Sequence, residues 1–158
     1  MSTTYTIICK AEELKTGDHI SWPAKASSIV QHHVLVVAPK GGNSFRIIHV
    51  TEQEDGSSKS GSHCAVEEIV IDLGEKICKG ILRRYDHDPK FCCEPTEVVN
   101  KARKKIGPFD YDLITNNCEH FARGCKTDNS QSYQADIVTK SYGSSGNVIA
   151  AIIRGKKK

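Results

Sequence analysis

A thiol at the start of a helix is the group best suited to chemistry in this chain. Cys118 follows Asn116-Asn117, and asparagine is a strong helix N-cap, so Cys118-Glu119 fall in the first turn. The unpaired main-chain N–H groups of that turn put partial positive charge beside the sulfur and favour the thiolate, its nucleophilic form. Such a sulfur attacks a carbonyl carbon once an imidazole has taken its proton. Two histidines interrupt apolar strand faces: His32 alternates with Val30, Val34 and Val36, and His49 with Phe45 and Ile47. His33 projects to the opposite face with Gln31, Leu35 and Val37. Read singly, a cysteine is usually a small buried hydrophobe and a strand histidine a satisfied core residue. Read together, they supply a nucleophile, a base and a group to orient it.

The elements that must position these residues change character along the chain. The first half reads as strands: His19 to Trp22, stopped by Pro23; Val30 to Val37; Phe45 to Val50; Ala65 to Leu73; and a further run from Ile77 to Tyr85. Lys40-Gly41-Gly42-Asn43 has hairpin chemistry, because Gly and Asn accept positive φ, and short turns of this kind predict antiparallel pairing. Thr51 to Ser62 reads as a polar loop. In Pro95 to Ile106, Val98, Val99, Ala102 and Ile106 form one helical stripe, closed by Gly107-Pro108. Lys101, Arg103, Lys104 and Lys105 make a solvated basic face there, or one drawn to anionic lipid. A second helix runs from the Asn116-Asn117 cap to about Cys125, whose thiol sits at the end of the dipole that opposes ionisation. The polar stretch beyond it ends in an apolar run, Val148 to Ile153, and a basic tail.

Composition narrows the function classes. The 158 residues suit one domain. Ile and Val total 27 against five Leu, which argues against an all-helical bundle. A charge of +3, from 22 basic and 19 acidic residues, is far from the strongly basic balance of a nucleic-acid binder. No apolar run approaches the roughly 20 residues of a membrane-spanning helix, and no secretion signal opens the chain. Seven cysteines, an odd number with Cys92 and Cys93 adjacent, suit free thiols in a reducing compartment. They include no Cys-x2-Cys pair, so a zinc site is not expected.

Asn117-Cys118-Glu119-His120-Phe121, preceded by Tyr111-Asp112-Leu113-Ile114-Thr115-Asn116, closely resembles the signature of the lecithin:retinol acyltransferase (LRAT) family. Leu14-Lys15-Thr16-Gly17-Asp18-His19-Ile20 is similar to that family's opening strand, Gln31 to Val37 to its first histidine strand, and Ile47-Ile48-His49-Val50 to its second. The resemblance covers about Leu14 to Lys126. It implies a permuted papain-like α+β fold of the LRAT type, with an antiparallel sheet packed against helices. By the same resemblance Cys118 corresponds to the nucleophile, His32 to the general base and His49 to the residue that orients it. The activity implied is transfer of a fatty acyl chain from a glycerophospholipid to the thiol, then to water, an amine or an alcohol. Ala38-Pro39 replaces the family's frequent Gly, and the interval between the two histidines is longer than is common.

The expected organisation is an N-terminal segment (1–13), an LRAT-like catalytic domain (14–127) and a polar tail (128–158). The expected protein is a cytoplasmic acyltransferase or phospholipase A without cofactor, metal or nucleic-acid partner, touching anionic membranes through its basic tail. A non-catalytic module of the same fold, working by binding, and a thiol peptidase are the competing readings.

Overall fold

A computed structural model describes residues 4–24, 30–52, 64–110 and 117–127. The polar tail and most of the loop after Thr51 lie outside the described residues. Those described form an α+β fold around a seven-stranded, wholly antiparallel sheet. Its strands are β1 (Thr4–Ile7), β2 (His19–Pro23), β3 (Gln31–Gly41), β4 (Ser44–Glu52), β5 (Cys64–Asp72), β6 (Arg83–Asp86) and β7 (Gly107–Phe109), in the order β1-β6-β2-β3-β4-β5-β7. Three helices accompany it: α1 (Gly74–Cys78), α2 (Pro95–Arg103) and α3 (Cys118–Lys126).

Both faces of the sheet's centre are buried, because β3 and β4 carry aliphatic side chains at odd and even positions alike. On one face Leu35, Val37, Ile48, Val50 and Val66 meet Val98, Val99 and Ala102 of α2 and Phe121, Ala122 and Cys125 of α3. On the other, Val34, Val36, Phe45 and Ile47 pack with Ile8, Leu14, Ile20, Leu73 and Leu82. Each large aliphatic side chain so buried contributes about 1.5–3 kcal/mol. Register shifts at Val36/Ala38 and Pro39/Gly41 let the β3–β4 hairpin absorb a proline, which has no N–H to give the ladder.

Three expectations are corrected. The run from Ile77 to Tyr85 is not one strand: Gly74–Cys78 is helical, and pairing starts only at Arg83. Bonds from Gly80 N to Ile77 O and from Ile81 N to Lys76 O close that helix, with Gly80 at φ 70. The helix expected from Pro95 to Ile106 stops at Arg103, which leaves Ile106 beyond its stripe and exposed, and Gly107-Pro108 opens β7 against β5 rather than closing α2. Within the N-terminal segment, to which sequence patterning assigns no element, residues 4–7 form the edge strand β1 beside β6. The basic end of α2 is also less loosely solvated than expected. Lys101 Nζ reaches the carbonyls of Gly124 and Thr127 at 3.3 and 3.4 Å, satisfying the C-terminal end of α3, and Arg103 pairs with Glu68 at 2.9 Å.

Candidate active site

Strand register brings the first group together. Val34 pairs with His49 across β3–β4, and His49 with Glu67 across β4–β5, so side chains two residues apart on β3 join this row on one face. His32 Nε2 lies 2.9 Å from His49 Nδ1, and His49 Nε2 lies 2.9 Å from Glu67 Oε2. A carboxylate only accepts, so His49 carries its proton on Nε2. His49 Nδ1 then accepts from His32 Nε2–H, and the lone pair of His32 is left on Nδ1. Trp22 stands edge-on to His32 with ring centroids 5.3 Å apart, and Lys76 of α1 lies 4.8 Å over the indole. Burial first, then the neighbouring His49 and Lys76, pulls the His32 pKa down to about 4. At neutral pH this imidazole is a neutral proton acceptor.

Cys118 comes from the other side of the sheet. Asn117 Oδ1 accepts from His120 N at 2.9 Å while Asn117 N donates to His120 Nδ1 at 3.2 Å, a reciprocal cap that fixes the start of α3. The Cys118 thiol is 3.6 Å from the Gln31 carbonyl oxygen. Bonds from Ala24 N to Val30 O and from Val36 N to Asp18 O show that even-numbered residues of β3 bond to β2. The Gln31 carbonyl therefore turns towards β4, but the β3–β4 ladder begins only at Val34↔His49. The sulfur thus meets β3 where its partner strand has drawn away, next to the main chain of His32.

The structure brings His32 and His49 together but not onto the face that α3 covers. Cys118 packs with Leu35, Val37 and Ile48, whereas His32 and His49 rise beside Val34, Val36 and Ile47. The residue facing α3 is His33, the opposite of the expected arrangement. Phe121, Ala122 and Cys125 of α3 pack on the face of Leu35, Val37 and Ile48, and alternation puts His33 on that face.

His33 belongs to a second histidine chain that sequence reasoning missed. His19 Nε2 is 2.8 Å from His33 Nδ1, and His19 Nδ1 is 2.9 Å from His87 Nε2. Tyr85 stacks on His19 at 4.5 Å. Its hydroxyl is 2.9 Å from Ser21 Oγ, which donates to Gln31 Oε1 at 3.0 Å. Burial drives the His33 pKa down to about 3, with Glu119 opposing, and that of His87 to about 4. Glu119 and Arg123 of α3 form a buried pair at 2.9 Å beneath this chain. Glu67 was missed as well. Its signal was present, since alternation puts it on the apolar face of Ile69 and Ile71.

Residues 12–131, which contain both histidine chains and Cys118, match the family described as lecithin retinol acyltransferase. The chain belongs to the LRAT family. No curated protein and no solved structure matches it significantly. Membership gives this LRAT domain a general class of activity, acyltransferase or phospholipase chemistry on lipids. Among its described residues no group of three His, Cys, Asp or Glu side chains is arranged to hold a metal ion, and no helix is long and apolar enough to cross a membrane.

Proposed function

We propose that this LRAT domain is a thiol-dependent phospholipid acyltransferase and phospholipase A in which Cys118 carries the acyl chain as a thioester. Cys118 and His32 stand on opposite faces of the sheet, so the sulfur must leave the Gln31 carbonyl and swing past the end of β3 for His32 Nδ1 to accept its proton as it attacks the ester carbon. Main-chain N–H groups of the first turn of α3 receive the developing oxyanion. The ester C–O bond then breaks, and His32 returns its proton to the departing lysophospholipid oxygen. In the second half His32 deprotonates water, an amine or an alcohol, which displaces the sulfur and regenerates the thiol. His49 holds the His32 ring in register throughout. The observation that carries this reading is the His32–His49–Glu67 chain, which leaves a neutral imidazole lone pair one residue from the carbonyl that holds the thiol.

Incubation with phosphatidylcholine should add one fatty acyl mass to Cys118, removable by hydroxylamine. Adding phosphatidylethanolamine to the vesicles then separates transfer from hydrolysis by the products formed. Cys118→Ser should abolish both, and normal turnover by that variant would refute the assignment. A second reading makes His33 the base, because it shares the face of α3. Loss of acylation in His33→Gln with full acylation in His32→Gln would establish that alternative. The cytoplasmic location and the peripheral membrane contact belong to the same proposal, and vesicle flotation tests the contact.

A further inference from the structure

The two adjacent acids of β5 face opposite ways and meet different partners. Glu68 is held by Arg103 at 2.9 Å and lies 3.8 Å from Arg46, as a surface acid commonly is. Glu67 turns to the other face and meets an imidazole, His49 Nε2 at 2.9 Å. We propose that Glu67 is a positioning residue of the acyl-transfer site, fixing the tautomer of His49 and through it the nitrogen at which His32 takes up a proton. This rests on the role of His32 and Cys118 proposed above.

The directionality follows from donor and acceptor inventory alone. An ionised carboxylate has no proton to give, so it forces His49 to donate through Nε2 and accept through Nδ1. That acceptor in turn holds His32 with its proton on Nε2. When His32 takes the thiol proton, positive charge spreads along a chain whose far end is the carboxylate. Glu67 is 39% exposed at its side chain, so it meets water as well as the ring. The opposing charge on this face is Lys76 of α1, which approaches His32 across Trp22.

Glu67→Gln keeps the shape of the side chain but adds a donor beside the acceptor, which removes the directional constraint. Ring 15N shifts of His49 and His32 report the tautomers without any turnover. Wild type should show His49 protonated at Nε2, and Glu67→Gln and Glu67→Ala a mixed or reversed tautomer with an unchanged far-UV spectrum. Deacylation of phosphatidylcholine should lose kcat by about tenfold or more with little change in KM. The acid limb of the rate profile should move to lower pH, because the imidazolium has lost its carboxylate. An unchanged tautomer, or an altered one with rate and acid limb unmoved, overturns the proposal. An inactive wild type whose His49 tautomer still depends on Glu67 would overturn the enzymatic reading while leaving the tautomer assignment standing.

Discussion

Acid should unfold this protein early, for a reason visible in its interior. His33 is only 2% exposed and titrates near pH 3, and His32 near pH 4, both against an ordinary value of 6.5. The folded state therefore refuses protons that the unfolded chain accepts, so stability rises with pH between these limits and is lost as pH falls below about 6.5. Each unit of pH in that window costs about 1.4 kcal/mol per histidine. Going from pH 7 to pH 4.5 thus removes about 2–3 kcal/mol through each of His33 and His32, roughly 5 kcal/mol together. His19, fully buried and also lowered, and His87, lowered to about 4, add in the same direction. A domain's whole stability is about 5–15 kcal/mol, so the loss is a large part of it. The lowered carboxyls of Glu13 and Glu68 act in the same sense, their contribution being lost as pH falls, and the raised Asp18 works in the opposite sense. Urea unfolding at both pH values, read by far-UV circular dichroism and by Trp22 emission, measures the difference. A midpoint that does not fall at pH 4.5 would refute buried neutral imidazoles as the origin, and His33→Gln should remove part of the pH dependence, roughly the share of one histidine among four.

Asn117→Ala deletes the side-chain acceptor of the α3 cap at a position with 0% exposure, and should cost about 1–2 kcal/mol in thermal unfolding. Gly17 has φ 87, and a Cβ there would come within 2.9 Å of the Pro95 Cα. Gly17→Ala should therefore lower stability by about 2 kcal/mol or more, read as a fall in the urea midpoint. Burial pushes the Cys125 thiol up to about 11. A maleimide at neutral pH should label exposed Cys9 and Cys78 quickly and reach Cys125 only after urea is added, as peptide mass mapping would show.

The sequence made some of this architecture readable and hid the rest for physical reasons. The Asn117 cap, the α2 stripe of Val98, Val99 and Ala102, and the β3–β4 hairpin all follow from local chemistry, and the structure carries them. Alternation correctly separated His32 from His33. It could not say which face α3 would cover, since Val34 and Val36 on one side are as apolar as Leu35 and Val37 on the other. The Ile77 region misled because β-branched residues favour strands in general, whereas here Leu73 and Ile77 pack together on the inner side of one helical turn. His19 and His87 are 68 residues apart, and no local pattern joins them. Glu67 was legible as a carboxylate on an apolar face, but its partner became known only with the β4–β5 register.

The two histidine chains differ in a way that bears on which one can cycle a proton. Burial lowers His32 in one chain and His33, His19 and His87 in the other, so either chain offers a neutral acceptor. A base must also hold the charge it gains, and here the surroundings diverge. The chain through His32 and His49 ends on a carboxylate, with Lys76 as the opposing charge beyond Trp22. The chain through His33, His19 and His87 faces Arg123 and Lys126, offset by Glu119 near His33 and His87 and by Asp86 near His87. Protonation there sets like charges against one another inside the fold, which suits a structural clamp holding β2, β3 and the end of β6 in place. On this argument His32→Gln should slow acylation of Cys118 by about a hundredfold or more while leaving the urea midpoint at neutral pH nearly unchanged. His33→Gln should do the reverse, lowering the midpoint with little direct effect on the rate of the molecules that remain folded. If the stopped-time acylation yields, normalised to folded fraction, fell equally in both variants, the division of labour between the two chains would be wrong.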